Sequence, residues 1–218
     1  MRDPQTGLFL AFEGVEGSGK TTQAALLAEA LKEAGTEVVL AREPGSTPLG
    51  ERIRAVVLDP ALQVPARSEL FLMLAARAAF VEQVVRPALA AGKVVIADRF
   101  ELSTLAYQGA GRGLPPDEIS RGNRLATGGL APEATLLLEL PPEEGARRQA
   151  LAAKRPDRLE QEAEAFHQRV ARGYLDLAGR VEGVIRVNAS GSIDEVQSRL
   201  RAALREHCPE TFGSFDWY

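Results

Sequence analysis

Residues 14–21 read Gly14, Val15, Glu16, Gly17, Ser18, Gly19, Lys20 and Thr21, and they satisfy the spacing G-x-x-x-x-G-K-[ST], with Thr22 following. Glycines at these places let backbone N–H groups turn inward around phosphate oxygens. A helix starting just after the loop adds positive potential. Lys20 is then placed to reach the β- and γ-phosphates, and the Thr21 hydroxyl to ligate magnesium. The expected chemistry is binding of a nucleoside triphosphate and transfer of its terminal phosphate.

Other residues could serve such a transfer. Asp98 closes a run of four apolar residues, where a parallel sheet presents side chains to its ligand crevice, and a carboxylate there can hold a magnesium shell. The plainer alternative is an aspartate that caps the next helix. Arg99 follows at once, and Arg77 sits mid-helix among alanines and apolar residues. Bringing an anionic acceptor against a triphosphate requires fixed positive charge, worth about 10³–10⁵ in rate. Composition does not choose between Arg77 and its neighbours. Arg147, Arg148, Lys154, Arg155 and Arg158 bracket Pro156. This cluster reads either as a lid over the transferred phosphate or as a solvated helical face.

These residues need a scaffold, and the pattern supplies one. Apolar runs at 8–12 and 94–97 read as buried strands, and 38–41, 134–140 and 184–187 as three more strands. Helical patterns occupy 21–34, 48–58, 68–91, a stretch through 108, a segment from 116, a segment from 142, 158–179 and 192–207. The helix at 158–179 shows an apolar stripe of Phe166, Val170, Leu175 and Leu177. Gly109, Gly111 and Gly113 suggest a turn. Strands alternating with helices predict a doubly wound five-stranded parallel sheet flanked by helices, an α/β fold of the phosphate-loop kinase kind. Residues 1–218 are expected to form one domain, with a short helical lid at about 145–160.

Composition agrees. The 218 residues are 45% hydrophobic and 26% charged, ordinary for a soluble domain. No apolar run approaches a membrane span, and the first residues lack a signal peptide's apolar core. One cysteine, Cys208, and two histidines leave no disulfide pair and no histidine-built metal centre, which favours a reducing cytoplasm. A net charge of −4 argues against nucleic acid as a partner. No N-K-x-D segment or L-S-G-G-Q signature occurs, which disfavours a GTPase switch or a transport ATPase. The Asp176 to Gly179 match to D-x-x-G falls at a helix end and reads as accidental.

Three longer stretches narrow the reading. Residues 42–45 are Arg-Glu-Pro-Gly, 103–109 are Ser-Thr-Leu-Ala-Tyr-Gln-Gly, and 157–160 are Asp-Arg-Leu-Glu. With 13–22, Ala75-Ala76-Arg77 and Asp98-Arg99, in this order, the chain resembles the bacterial type of the thymidylate kinase family. The resemblance runs from about residue 8 to the last helix. It implies transfer of the ATP γ-phosphate to dTMP, with magnesium and a homodimer. Glu16 would then meet the sugar 3′-hydroxyl, Arg99 and Arg54 the monophosphate, and Arg77, Thr104 and Gln108 the thymine edge. Tyr107 would exclude a ribose 2′-hydroxyl. The lid would supply the catalytic arginine, with Arg155 and Arg158 as candidates, since Gly17 leaves the loop without one.

Two positions depart from the family pattern. Phe100 stands where Tyr or His usually follows Asp-Arg, and Met73 where a phenylalanine often stacks on thymine. Methionine is polarizable and able to cover an aromatic ring. Phe71 is expected in the core, and the aromatics of the tail, Phe212 onward, against the body. Another nucleoside monophosphate or a deoxynucleoside is the alternative acceptor. A non-catalytic ATP-binding regulatory protein is the alternative from another class.

Overall fold

The structure, a computed structural model, describes residues 7–151 and 156–213. Five parallel strands, β1 (Leu8–Glu13), β2 (Val38–Arg42), β3 (Val94–Asp98), β4 (Ala134–Glu139) and β5 (Val184–Asn188), lie in the order β2-β3-β1-β4-β5. Each strand falls where the apolar runs predict it. Alternation along the strands explains why the sheet is covered twice. Leu8, Leu10, Phe12, Val94, Ile96, Leu136 and Leu138 face one core, beneath helices α1 (Lys20–Glu33) and α9 (Ile193–His207). Phe9, Ala11, Val95 and Ala97 face the other. Phe100 closes that second core, its ring edge-on to Phe9 at 4.9 Å.

The second face is covered by a helical run made of α3 (Ala66–Phe80), a π-helical turn Val81–Val85, and α4 (Arg86–Ala90). Beside it lie α5 (Glu101–Thr104), the π-helical segment Leu105–Gly111, and α8 (Glu164–Ala178). Helices α2 (Pro48–Leu58), α6 (Pro116–Thr127) and α7 (Pro142–Leu151) complete the shell, and α10 (Pro209–Phe212) buries Phe212 as expected of the tail. The chain adds β2 and β3 on one side of β1 and then β4 and β5 on the other. The carboxyl end of β1 is therefore a topological switch point, the place where such sheets open a ligand crevice.

Four readings need correction. Residues 109–111 form no turn: the helix runs on through Gly111 with i to i+5 bonding, Arg112 N–H donating to Tyr107 O at 2.9 Å. A Cβ on Gly111 would lie 2.6 Å from the Phe166 ring, so this glycine serves the close approach of α8. The helix expected from residue 158 starts at Glu164, because Asp157 Oδ1 accepts the N–H groups of Leu159 and Glu160 and holds a side-chain turn. Its buried stripe is Phe166, Val170, Gly173 and Tyr174, while Leu175 is exposed. Phe71 is exposed rather than core, since Leu70, Met73, Arg77 and Phe80 take the inner face of α3.

Candidate active site

One crevice of about 1070 Å³ opens at the carboxyl ends of β1, β2 and β3. Glu16, Gly17, Ser18, Gly19, Lys20, Thr21 and Thr22 form one wall. Gly14 and Val15 stand behind that wall, where their carbonyls accept from Lys20 Nζ at 3.0 and 2.8 Å. Gly17 has φ +75° and touches α7: a Cβ there would lie 2.3 Å from Gly145 O. The loop and the helix that leads into residues 152–155 are thus in backbone contact.

Burial and the neighbouring Arg99 charge bring the Lys20 ammonium down to about 8, against the pull of Glu16, Asp98 and Glu13. The Thr21 hydroxyl donates to Asp98 Oδ2 at 2.5 Å. Two hard oxygen donors side by side, with few other protein ligands, suit magnesium, which keeps water and phosphate oxygens in its shell. Among the described residues no group of three or more His, Cys, Asp or Glu side chains could hold a metal.

Arg99 joins this wall to the next. Its backbone has φ +77°, uncommon for a residue with a side chain and costing about 1–3 kcal/mol. Two bonds hold it there: Arg99 N–H donates to Phe12 O at 2.9 Å, and Phe100 N–H to Glu13 Oε1 at 2.8 Å. The guanidinium donates to Gly14 O, Ser103 Oγ, the Tyr174 and Tyr107 hydroxyls, and the Glu16 carboxylate. Burial alone would raise the Glu16 carboxyl. The charges of Arg99 and Lys20 and the Tyr107 hydroxyl, 3.0 Å away, outweigh it and hold Glu16 at about 2.

The far wall carries Arg54, Met73, Tyr107 and Gln108. Arg54 Nη1 donates to Pro44 O at 3.1 Å. The structure does not bring Arg77 and Thr104 to this wall. Arg77 is completely buried, and its guanidinium is taken up by Glu43, Thr104, Asn123 and Phe100 O at 2.6–2.8 Å. Burial pushes the Glu43 carboxyl up to about 7 against the pull of Arg77. The Arg77 guanidinium also lies over the Phe100 ring, 5.2 Å from its centroid, so a phenylalanine after Asp98-Arg99 is used for packing.

Arg158 is also away from the crevice. Its Nε donates to Val57 O at 2.6 Å and its Nη2 to Glu69 Oε2 at 2.5 Å, which anchors the segment from residue 157 to α2 and α3. Arg155 and Lys154 lie outside the described residues. Arg148 does line the crevice, held by Glu144 at 2.6 Å and Ala189 O at 3.2 Å, while Arg147 is exposed.

Sequence reasoning missed the buried carboxylates that hold these parts. Glu13 has no exposed surface and accepts from Phe100 N–H, Ser103 N–H, the Ser103 hydroxyl and the Tyr174 hydroxyl at 2.5–3.0 Å. Glu69 is equally buried, and the signal for it was available: it falls on the apolar stripe of α3, with Met73, Ala76 and Phe80.

The thymidylate kinase family model matches residues 12–200. The chain belongs to the thymidylate kinase family. It is 47% identical over 201 residues to a thymidylate kinase of Deinococcus radiodurans, covering 92% of this chain and 97% of that one. It is 49% identical over 199 residues to one of Synechococcus sp. strain JA-3-3Ab, covering 91% and 95%. The crystal structure of thymidylate kinase from Ehrlichia chaffeensis overlays with a TM-score of 0.73 at 32% identity, covering 91% of this chain and 99% of that one.

Within this thymidylate kinase family member, Glu13 has the clearest testable weight. Glu13→Ala leaves several buried donors without an acceptor, each costing about 1–3 kcal/mol. Urea unfolding is expected to show a loss of about 2–4 kcal/mol. A loss within error of zero would remove Glu13 as the support of the 98–104 loop.

Proposed function

We propose that the protein transfers the γ-phosphate of ATP to dTMP, giving dTDP, in the cytoplasm and as a homodimer. The observation that carries this reading is one crevice with two chemically distinct walls joined at Arg99. One wall is a phosphate loop with Lys20 and the Thr21–Asp98 pair. The other carries Arg54, Tyr107 and Gln108. The kinship with thymidylate kinases across nearly the whole chain supports the choice of dTMP and ATP. Phe71 and Leu125 are exposed on the neighbouring helices α3 and α6, apolar side chains that a second copy would cover.

The loop N–H groups and Lys20 bind the triphosphate. Thr21 and Asp98 would hold magnesium, which supplies charge neutralisation of the phosphates when bound. The Thr21 hydroxyl directs its proton toward Asp98 Oδ2, so the hydroxyl oxygen keeps its lone pairs for a cation. Arg99 and Arg54 receive the acceptor monophosphate, and Glu16 orients Arg99 from the loop. A phosphate monoester is an anionic nucleophile near neutral pH, so alignment and charge carry the catalysis without a strong base. Met73 and Gln108 contact the base, and Tyr107 crowds the sugar. Residues 145–160 act as a lid, and its arginines bring further charge. Arg158 enters this reading as the anchor of the lid, and Arg155 as its candidate catalytic arginine.

Two measurements test the reading. In a coupled ATPase assay with a panel of acceptors, dTMP is expected to give the highest kcat/KM. Preference for AMP, dGMP or thymidine would overturn it, and ATP binding with no acceptor-dependent turnover would favour a regulatory protein. The second is a pH profile. The Lys20 ammonium is the binding form, present below its pKa of about 8 and lost above it. kcat/KM for ATP should therefore decline as pH rises through about 8. A profile that stays flat to pH 9.5 would contradict the role given to Lys20.

A further inference from the structure

Glu69 gathers three side chains that are distant in the chain. Gln108 Nε2 donates to its Oε1 at 2.8 Å. Arg112 donates to both oxygens, at 3.2 and 3.0 Å, and Arg158 to Oε2 at 2.5 Å. Burial opposes the charge of Glu69, yet these bonds outweigh it and keep the carboxyl below its ordinary value. Glu69 is therefore an ionised, acceptor-only group with no exposed surface.

That chemistry dictates the state of its neighbour. A carboxylate accepts only from the NH₂ end of an amide, so the Gln108 side chain has one allowed orientation. Nε2 turns to Glu69, and Oε1, itself buried, has no hydrogen-bond partner among the described residues. Gln108 lines the crevice beside Tyr107. An acceptor there suits a base whose ring nitrogen carries a proton, as N3 of thymine does. The N3 of cytosine bears a lone pair and would meet Oε1 acceptor to acceptor.

We propose that Glu69 is a positioning residue that sets pyrimidine selectivity by fixing the Gln108 amide, and that its bond to Arg158 ties this selection to the segment 157–162. The Arg112–Glu162 ion pair at 2.6 Å fastens the same segment a second time. The proposal rests on the reading of Gln108 as a base contact under the proposed function.

The test is Glu69→Gln, which keeps the shape but both donates and accepts, so Gln108 gains a second orientation. kcat/KM for dTMP and dCMP is measured together with KM for ATP. KM for dTMP is expected to rise about tenfold and the dTMP-to-dCMP preference to fall by at least about tenfold, the scale of one hydrogen bond. KM for ATP should stay within about twofold. An unchanged preference, with dTMP and ATP parameters and thermal midpoint falling together, would show a merely structural group and overturn the proposal. Should the single variant not fold, Glu69→Gln with Arg112→Gln removes one unpaired cation and gives the same ratio test. Gln108→Leu separates the two claims. If it leaves the dTMP KM and the preference unchanged, the reading of Gln108 itself fails. If it lowers the preference while Glu69→Gln does not, only the role of Glu69 fails.

Discussion

The site depends on the guanidinium of Arg99. This one planar cation reaches the phosphate loop through Gly14 O and Glu16, the opposite wall through Ser103 and Tyr107, and the core behind it through Tyr174. A point charge could satisfy some of these acceptors, but only a fork of donors spans them in fixed directions. The left-handed backbone of Arg99 is the cost of that reach. It persists because β1 supplies Phe12 O to the N–H of Arg99 itself and the Glu13 carboxylate to the N–H of Phe100.

Buried carboxylates repeat this logic away from the phosphates. Glu13, Glu43 and Glu69 are all withdrawn from solvent, which is expensive unless every charge finds a partner. Each instead finds an arginine or a set of backbone and hydroxyl donors. Glu13 supports the bend at Arg99, Glu43 neutralises Arg77 beside Phe100, and Glu69 binds α3 to the 105–112 and 157–162 segments. The contact of Gly17 with Gly145 adds a backbone link between the loop and α7. Donor wall, acceptor wall and the segments flanking residues 152–155 are thereby mechanically joined.

Much of this was legible in the sequence, for physical reasons. The central strands are buried apolar runs and the edge strands shorter apolar-rich ones, so all five were visible, and Asp98 could be placed at a strand end with Arg99 after it. The phosphate loop announces itself because its backbone geometry requires glycine at fixed places. Side-chain destinations were harder. Arg77 and Arg158 have the charge a phosphate site needs, yet buried carboxylates of distant segments, Glu43 and Glu69, take them first. Gly111 looked like a turn because glycine serves turns and close packing equally, and only the Phe166 ring decides between them. Phe71 and Leu175 were misplaced because one extra apolar residue beside a helical stripe does not reveal which face turns inward.

The central claim is that Arg99 acts as a directed fork of donors, and not merely as a positive charge, between the two walls. It is tested most directly by kcat for dTMP-dependent ADP formation in Arg99→Lys, a variant that keeps the charge and loses the fork. The account predicts a fall of about 10²–10³, with the protein still folded by circular dichroism. Turnover equal to that of the parent protein would contradict it.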